Sequence, residues 1–220
     1  GIEQGVLVLK TDSDGNEMWR SVNGVLPLQN SYYHLNNSIE DSYGNFYTIG
    51  GGSSSTGYTN YSIMKIENNG VLAWIKYYGG DEYYETPTKI IKLDDESFAV
   101  LHHSRLNGSG SASTYLSKFD YDGNQTTIES FGESGNGMVG LSIIKSQDNH
   151  LIISGRKAYH PHCMKIDENG NVVWAYSYSG LSSDGDLYNM AMDLKETPDG
   201  GYVLVGRIAQ DAKLHLIKIN

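Results

Sequence analysis

Side chains able to do chemistry are few in this chain, and the tightest cluster is His160-Pro161-His162-Cys163. Imidazole and thiolate bind zinc well, but a structural site takes about four such ligands at workable spacing. On an extended strand His160 and His162 point to one face and Cys163 to the other, so the cluster does not read as a metal centre. A second pair, His102-His103, ends a strand, and His103 stands where Arg156 and Arg207 stand elsewhere. That reads as a polar rim rather than a general base. The carboxylates Asp81, Glu82, Glu85, Glu133, Asp184 and Asp186 fall in connecting loops. Two of them held about 5–10 Å apart would suit glycoside hydrolysis, though solvated loop acids are the ordinary outcome. Asp12, Asp14 and Asn16 look like the opening of a calcium loop, yet Asn23 occupies the place where such a loop needs a bidentate acid. No Gly-x-Ser-x-Gly elbow, phosphate-binding glycine loop or His-Glu-x-x-His motif occurs. The chain is expected to carry no catalytic residue, metal or cofactor.

Tyrosine is the exception to this scatter, with 17 Tyr against 4 Phe. Tyr32, Tyr33, Tyr58, Tyr61, Tyr83, Tyr84, Tyr159 and Tyr188 lie in or beside the longer loops, among Asn, Asp, Ser and Gly. Aromatic faces stack on the apolar faces of sugar rings, and tyrosine is a rigid anchor in protein recognition. The candidate ligand-binding set is therefore Tyr33, Tyr58, Tyr83, Tyr84, Tyr159 and Tyr188, with His103, Arg156 and Arg207 beside them. Packing of blade rims is the competing use of several of these tyrosines.

The elements that must position them repeat. Asp/Asn turns closed by Gly15, Gly70, Gly123 and Gly170 each follow a hydrophobic strand carrying a lysine: Lys10, Lys65, Lys118 or Lys165. Lys218 marks a fifth such strand, and the five lysines recur 47 to 55 residues apart. Trp19, Trp74 and Trp174 lie four residues beyond the glycine in three copies, with Thr127 in the third. Equal placement in equal repeats marks them as packing residues. A second hairpin also recurs, with turns near residues 41–45, 93–97, 146–150 and 197–201. One period reads as four antiparallel strands with two short turns and two longer loops. The chain then holds two strands, three complete units and three more strands. The units fall near residues 1–30, 31–80, 81–132, 133–180 and 181–220, all in one domain.

Four-stranded meanders at this period are what propeller blades are made of. Strands apolar on both sides, such as 63–66 and 203–205, fit blades buried on both faces, and a two-sheet sandwich would not explain the period. The expectation is all-β, a β-propeller of about four repeats. It forms either a small closed ring of four or five blades or an arc of a larger one.

The formal net charge of −10 and the scattered 16 Lys and Arg argue against nucleic acid or an anionic membrane as partner. No apolar run approaches the ~18–20 residues that span a bilayer. The single Cys163 excludes an internal disulfide framework. Gly1 opens the chain without a signal peptide, which suits either a removed leader or an excised piece.

The segment Met64-Lys65-Ile66-Glu67-Asn68-Asn69-Gly70 with Trp74 and Gly79-Gly80 resembles the β-propeller repeats of bacterial secreted and cell-surface proteins. Those called SBBP repeats, and relatives in Bacteroidetes exoproteins, are the most similar, and the resemblance covers essentially the whole chain. The third unit departs from it at Thr127, and at His102, where the others have Gly50, Gly155 and Gly206. The resemblance implies a secreted, cell-surface or periplasmic propeller and carries no catalytic residues. Together these features lead to a non-catalytic recognition module that binds glycan or protein through the tyrosine-rich loop face. A structural domain or accessory subunit of a larger surface or secretion complex is the alternative, and a glycan-active hydrolase the less favoured third.

Overall fold

Short turns built on an Asp–Asn pair set the strand lengths. Asp12, Asp41, Asp120 and Asp167 each open a turn, and an Asn four residues on closes it. One carboxylate oxygen accepts the backbone N–H groups two and four residues ahead at 2.7–3.0 Å. The Asn amide donates to the other oxygen at 2.8–3.1 Å. Gly15, Gly44, Gly123 and Gly170 supply the positive φ, +79° to +84°, that closes the corner. The carboxylate of the calcium-like Asp12 loop is thus engaged within its own turn.

The computed structural model describes residues 5–24, 34–53, 59–80, 82–106, 112–131, 137–158, 160–179, 189–208 and 213–219. These form 17 strands and no helix. They pair into five antiparallel sheets in chain order, each strand bonded to its sequence neighbour. The first sheet has β1 (Gly5–Thr11) and β2 (Glu17–Gly24). The second has β3 (His34–Glu40), β4 (Phe46–Ser53), β5 (Thr59–Ile66) and β6 (Leu72–Tyr78). The third has β7 (Tyr83–Lys92), β8 (Ser97–Leu106), β9 (Ser113–Asp120) and β10 (Gln125–Phe131). The fourth has β11 (Met138–Lys145), β12 (Leu151–Lys157), β13 (His160–Ile166) and β14 (Val172–Ser177). The fifth has β15 (Met190–Glu196), β16 (Tyr202–Ile208) and β17 (Lys213–Ile219). The two-, four- and three-stranded pattern follows the repeat. Among the described residues no strand pairing joins the first sheet to the last.

The sheets pack face on face. Phe98, Val100 and Phe119 of the third sheet meet Tyr47, Ile49, Tyr61 and Ile63 of the second. Ala99, Leu101 and Leu116, on the opposite face of the same strands, meet Met138, Ile143, Ile153 and Met164 of the fourth. The recurrent tryptophans buttress the next sheet's turn: Trp19 lies over Gly70 and donates Nε1–H to the Asn68 carbonyl at 2.9 Å, and Trp74 lies over Gly123. Lys118 donates to the Glu168 carbonyl of the fourth sheet's turn at 2.6 Å.

A β-bulge recurs in the first strand of each unit, after Leu35, Pro87, Gly140 and Ala191. The residues paired with these four are Gly50, His102, Gly155 and Gly206. Glycine is required where the bulged backbone lies over its partner: a Cβ on Gly155 would sit 1.9 Å from the Val139 carbonyl oxygen, and one on Gly206 2.0 Å from that of Met190. Gly155→Ala is accordingly expected to cost about 1–3 kcal/mol by overpacking. Gly15→Asn, at φ +84° with nothing within 4 Å, should stay within about 0.5 kcal/mol. Urea denaturation of the two variants decides, and equal costs would show that the bulged strand does not crowd Gly155.

Candidate functional site

The third unit places His102 where its siblings need glycine, and the consequence is a polar site inside an otherwise apolar interface. In β7, Pro87 stands at the bulge opposite His102, a position that tolerates the missing N–H. Period-2 alternation sends His102 toward the second sheet, where its ring lies 4.7 Å from that of Tyr61 and 5.5 Å from that of Tyr115. Beside it on β9 stands Ser117, at the place held by Leu9, Met64, Met164 and Ile217 in the other units. The shorter side chain there leaves room for the imidazole.

His102 bridges two groups. Its Nδ1 is 3.0 Å from Glu85 Oε2 and its Nε2 is 3.0 Å from Ser117 Oγ. Relative exposures are 8% for Glu85, 3% for His102 and 0% for Ser117, so none of the three relies on water. Ser117 Oγ also accepts from the Gln125 side-chain amide at 3.4 Å. A serine oxygen has one proton and two lone pairs. With Gln125 donating into one lone pair, the serine proton is free to go to His102 Nε2. That assigns the neutral tautomer, whose Nδ1–H donates to the Glu85 carboxylate. Burial raises the Tyr61 phenol well above its usual pKa, keeping it a protonated donor.

The network floors a cavity of about 300 Å³ between the second and third sheets, at the small end of the range of small-molecule sites. Tyr61, Tyr78, Tyr83 and Tyr115 wall it, with Glu85, His102, Ser104, Ser117 and Gln125 supplying polar atoms and Gly79 and Gly80 at one side. It lies at the loop end of the sheets, because Gly79 and Gly80 belong to the connection between β6 and β7 and Tyr83 is the first residue of β7. Gly79 is open backbone for a reason: at φ +127° its Cβ would lie 2.8 Å from Glu85 Cγ. A wider groove of about 630 Å³ lies between the first two sheets, lined by Leu7, Val8, Trp19 and Phe46 and crossed by Lys10 and Glu40 at 3.6 Å. Among its described polar lining residues only Thr48 is buried, so the smaller cavity, with several, is the candidate site.

The residues singled out in the sequence are spread out. Tyr83, 40% exposed, lines the cavity. Tyr84 points the other way, under the Arg105 guanidinium at 5.2 Å from its ring centroid. His103 faces away from the cavity, toward the fourth sheet, where burial, helped by the neighbouring His102, lowers its pKa to about 4. Arg156 is near enough to His103 to contribute to that shift, whereas Arg207 is exposed on the fifth sheet. Tyr33, Tyr58, Tyr159 and Tyr188, and the loop acids Asp81, Glu133, Asp184 and Asp186, lie outside the described residues. Glu85 belongs to β7 rather than to a loop. Sequence reasoning missed Tyr78, Tyr115 and Ser117, and took His103 rather than His102. The available signal was the paired departure of one unit from its siblings at His102 and Ser117.

The His–Cys cluster splits across its strand. His162 is buried with Nδ1 2.8 Å from Ser177 Oγ, and burial holds its pKa at about 4. Cys163 packs toward the fifth sheet, its thiol pushed up to about 12 by burial. Among the described residues no three His, Cys, Asp or Glu side chains converge as a metal site would require.

Comparisons with known proteins add little. No family model matches the chain, and no curated protein does. Among solved structures it is similar to one described as the crystal structure of the eukaryotic initiation factor, at 9% identity and a TM-score of 0.39. That match covers 99% of this chain and 59% of the other.

Two predictions follow from these side chains. Glu85→Ala strands the buried His102 N–H and should lower the unfolding free energy by about 1–3 kcal/mol, read from urea denaturation at pH 7. A loss under about 0.5 kcal/mol would mean that the pair is not made. His103 and His162, held at about 4 when folded, return to about 6.5 in the unfolded chain. Between these values the unfolded chain binds protons the folded one does not. Stability is therefore full above pH 6.5 and falls as pH drops, by about 1.4 kcal/mol per pH unit for each histidine in mid-window. His162→Gln should remove about half of that slope in denaturation curves taken from pH 7 to 4.5, and an unchanged slope would refute a neutral buried His162.

Proposed function

We propose that this chain is a recognition module whose ligand is a small ring-bearing, hydroxyl-rich group, of which a sugar residue is the simplest example. One observation carries the reading: four tyrosine rings converge on a cavity of about 300 Å³ whose floor holds a carboxylate, an imidazole, two serine hydroxyls and a carboxamide. Ring faces of tyrosine stack on the C–H faces of a pyranose, while carboxylate and carboxamide groups bond its hydroxyls. Glu85 and Ser104 supply acceptors, and Gln125 supplies both kinds of group.

In this reading the five sheets are successive blades of a β-propeller. Four-stranded meanders stacked in chain order, with all short turns at one end, support it. The family resemblance would then place the module outside the cell or on its surface, with a glycan or a glycosylated surface protein as partner. A second reading, an assembly part of a larger complex, is favoured by the exposed apolar strands at the two ends of the stack: Leu7 and Leu9 are 60% and 52% exposed, Leu214 and Leu216 78% and 68%.

The test is calorimetric titration with a panel of monosaccharides and their methyl glycosides. Tyr83→Ala removes an exposed wall without touching the core, so it should weaken binding at least about tenfold, the scale of one lost aromatic contact, and leave the melting temperature nearly unchanged. A panel that binds wild type and Tyr83→Ala equally, or neither, rules out this cavity as the recognition site.

A further inference from the structure

We propose that the same cavity performs acyl transfer, with Ser117 as nucleophile, His102 as base and Glu85 orienting the imidazole, and that its substrate class is a small carboxylic ester such as an O-acetylated sugar. The choice of a sugar as the alcohol part rests on the recognition reading above; the ester chemistry rests on the relay itself.

Three requirements meet here. The nucleophile and base are within hydrogen-bond reach, with Ser117 Oγ 3.0 Å from His102 Nε2. The base is oriented by a third group, with Nδ1 3.0 Å from Glu85 Oε2. All three side chains border a cavity able to admit a substrate. Nucleophile, base and orienter in this order are recognised by geometry and not by fold or chain position. Here the chain order is Glu85, His102, Ser117. The arrangement also answers why one unit alone exchanges a glycine for His102 and an apolar side chain for Ser117.

The steps balance without metal, oxidant or reductant. An ester carbonyl displaces Gln125 from Ser117 Oγ. Oγ attacks the carbonyl carbon as its proton passes to Nε2, and the carbonyl π pair moves to oxygen. The displaced Gln125 amide N–H, with the phenol O–H of Tyr61 that lines the same cavity, then holds that oxyanion, the role such side chains play in acyl transfer. Collapse re-forms C=O and breaks the bond to the alkoxy oxygen, which leaves as the alcohol with the proton from Nε2. Water then adds to the acyl-serine with Nε2 taking its proton, and the bond to Oγ breaks. Oγ recovers the proton, releasing the carboxylic acid.

The experiment treats the whole chain with a fluorophosphonate probe and, separately, with p-nitrophenyl acetate, and locates adducts by peptide mass spectrometry. Wild type should carry the phosphonyl group on Ser117 and hydrolyse the ester. Ser117→Ala should lose both, and Glu85→Gln, which keeps the hydrogen bond but not the charge, should slow hydrolysis at least about a hundredfold. Circular dichroism confirms that each variant is folded, and the sugar titration is run on the same samples. Sugar binding with no adduct on Ser117 overturns acyl transfer and leaves recognition standing. An adduct on Ser117 with no sugar binding keeps the ester chemistry and overturns the sugar. Neither result overturns both.

Discussion

The inner strands of each four-stranded sheet are buried on both faces, and that constraint governs what those strands can carry. In β8 five consecutive residues, Phe98 to His102, are buried, alternating between the second and the fourth sheet. Fully burying one large apolar side chain is worth about 1.5–3 kcal/mol, so the interfaces hold the stack together, and each sheet depends on two neighbours. A polar group placed in such an interface has no water to fall back on. It must find its partners inside the protein or cost more than the apolar residue it replaced.

The cavity satisfies that condition by closing its own hydrogen bonds. Glu85, His102, Ser117 and Gln125 form one connected set across the four strands of the third sheet. Tyrosine rings on both sides of the imidazole supply the packing that a Met or Ile would otherwise give. His102 and Ser117 sit on the two inner strands of the sheet and Glu85 and Gln125 on its outer strands, rather than on loops, which fixes their geometry before any ligand arrives. Only Gly79 and Gly80 are drawn from a connecting segment, with Tyr83 beside them at the start of β7, so what enters can vary while the floor stays in place.

The period of the chain was legible because its markers are local. A lysine, an Asp–Asn turn, a glycine with positive φ and a tryptophan four residues on are all set within one hairpin, and strand number and sheet order followed. The site was not legible in the same way, because it is made between units. Tyr61 and Tyr78 come from one sheet and Glu85, His102, Tyr115 and Ser117 from the next, and nothing in the spacing of one unit says which faces meet. Composition drew attention to loop tyrosines, and Tyr83 does line the cavity. Tyr78 and Tyr115 were overlooked because they lie in strands, where tyrosine reads as ordinary packing. His102 was visible as a departure from glycine; its meaning depended on Ser117, fifteen residues away in sequence, making room for the ring.

His102 and His103 show how strongly the face of a strand determines chemistry. They are adjacent in sequence and lie in the same ladder, paired with Pro87 and Thr86. His102 turns to the second sheet, meets a carboxylate and a hydroxyl, and has both nitrogens bonded. His103 turns to the fourth sheet, where its Nδ1 is buried without a partner and its pKa falls to about 4. The same imidazole is bonded through both nitrogens on one side of the sheet and is a buried neutral ring on the other. A one-residue slip of β8 would exchange the two and unmake the site, and the bulge at Pro87, by fixing that register, belongs to the chemistry as much as the side chains do.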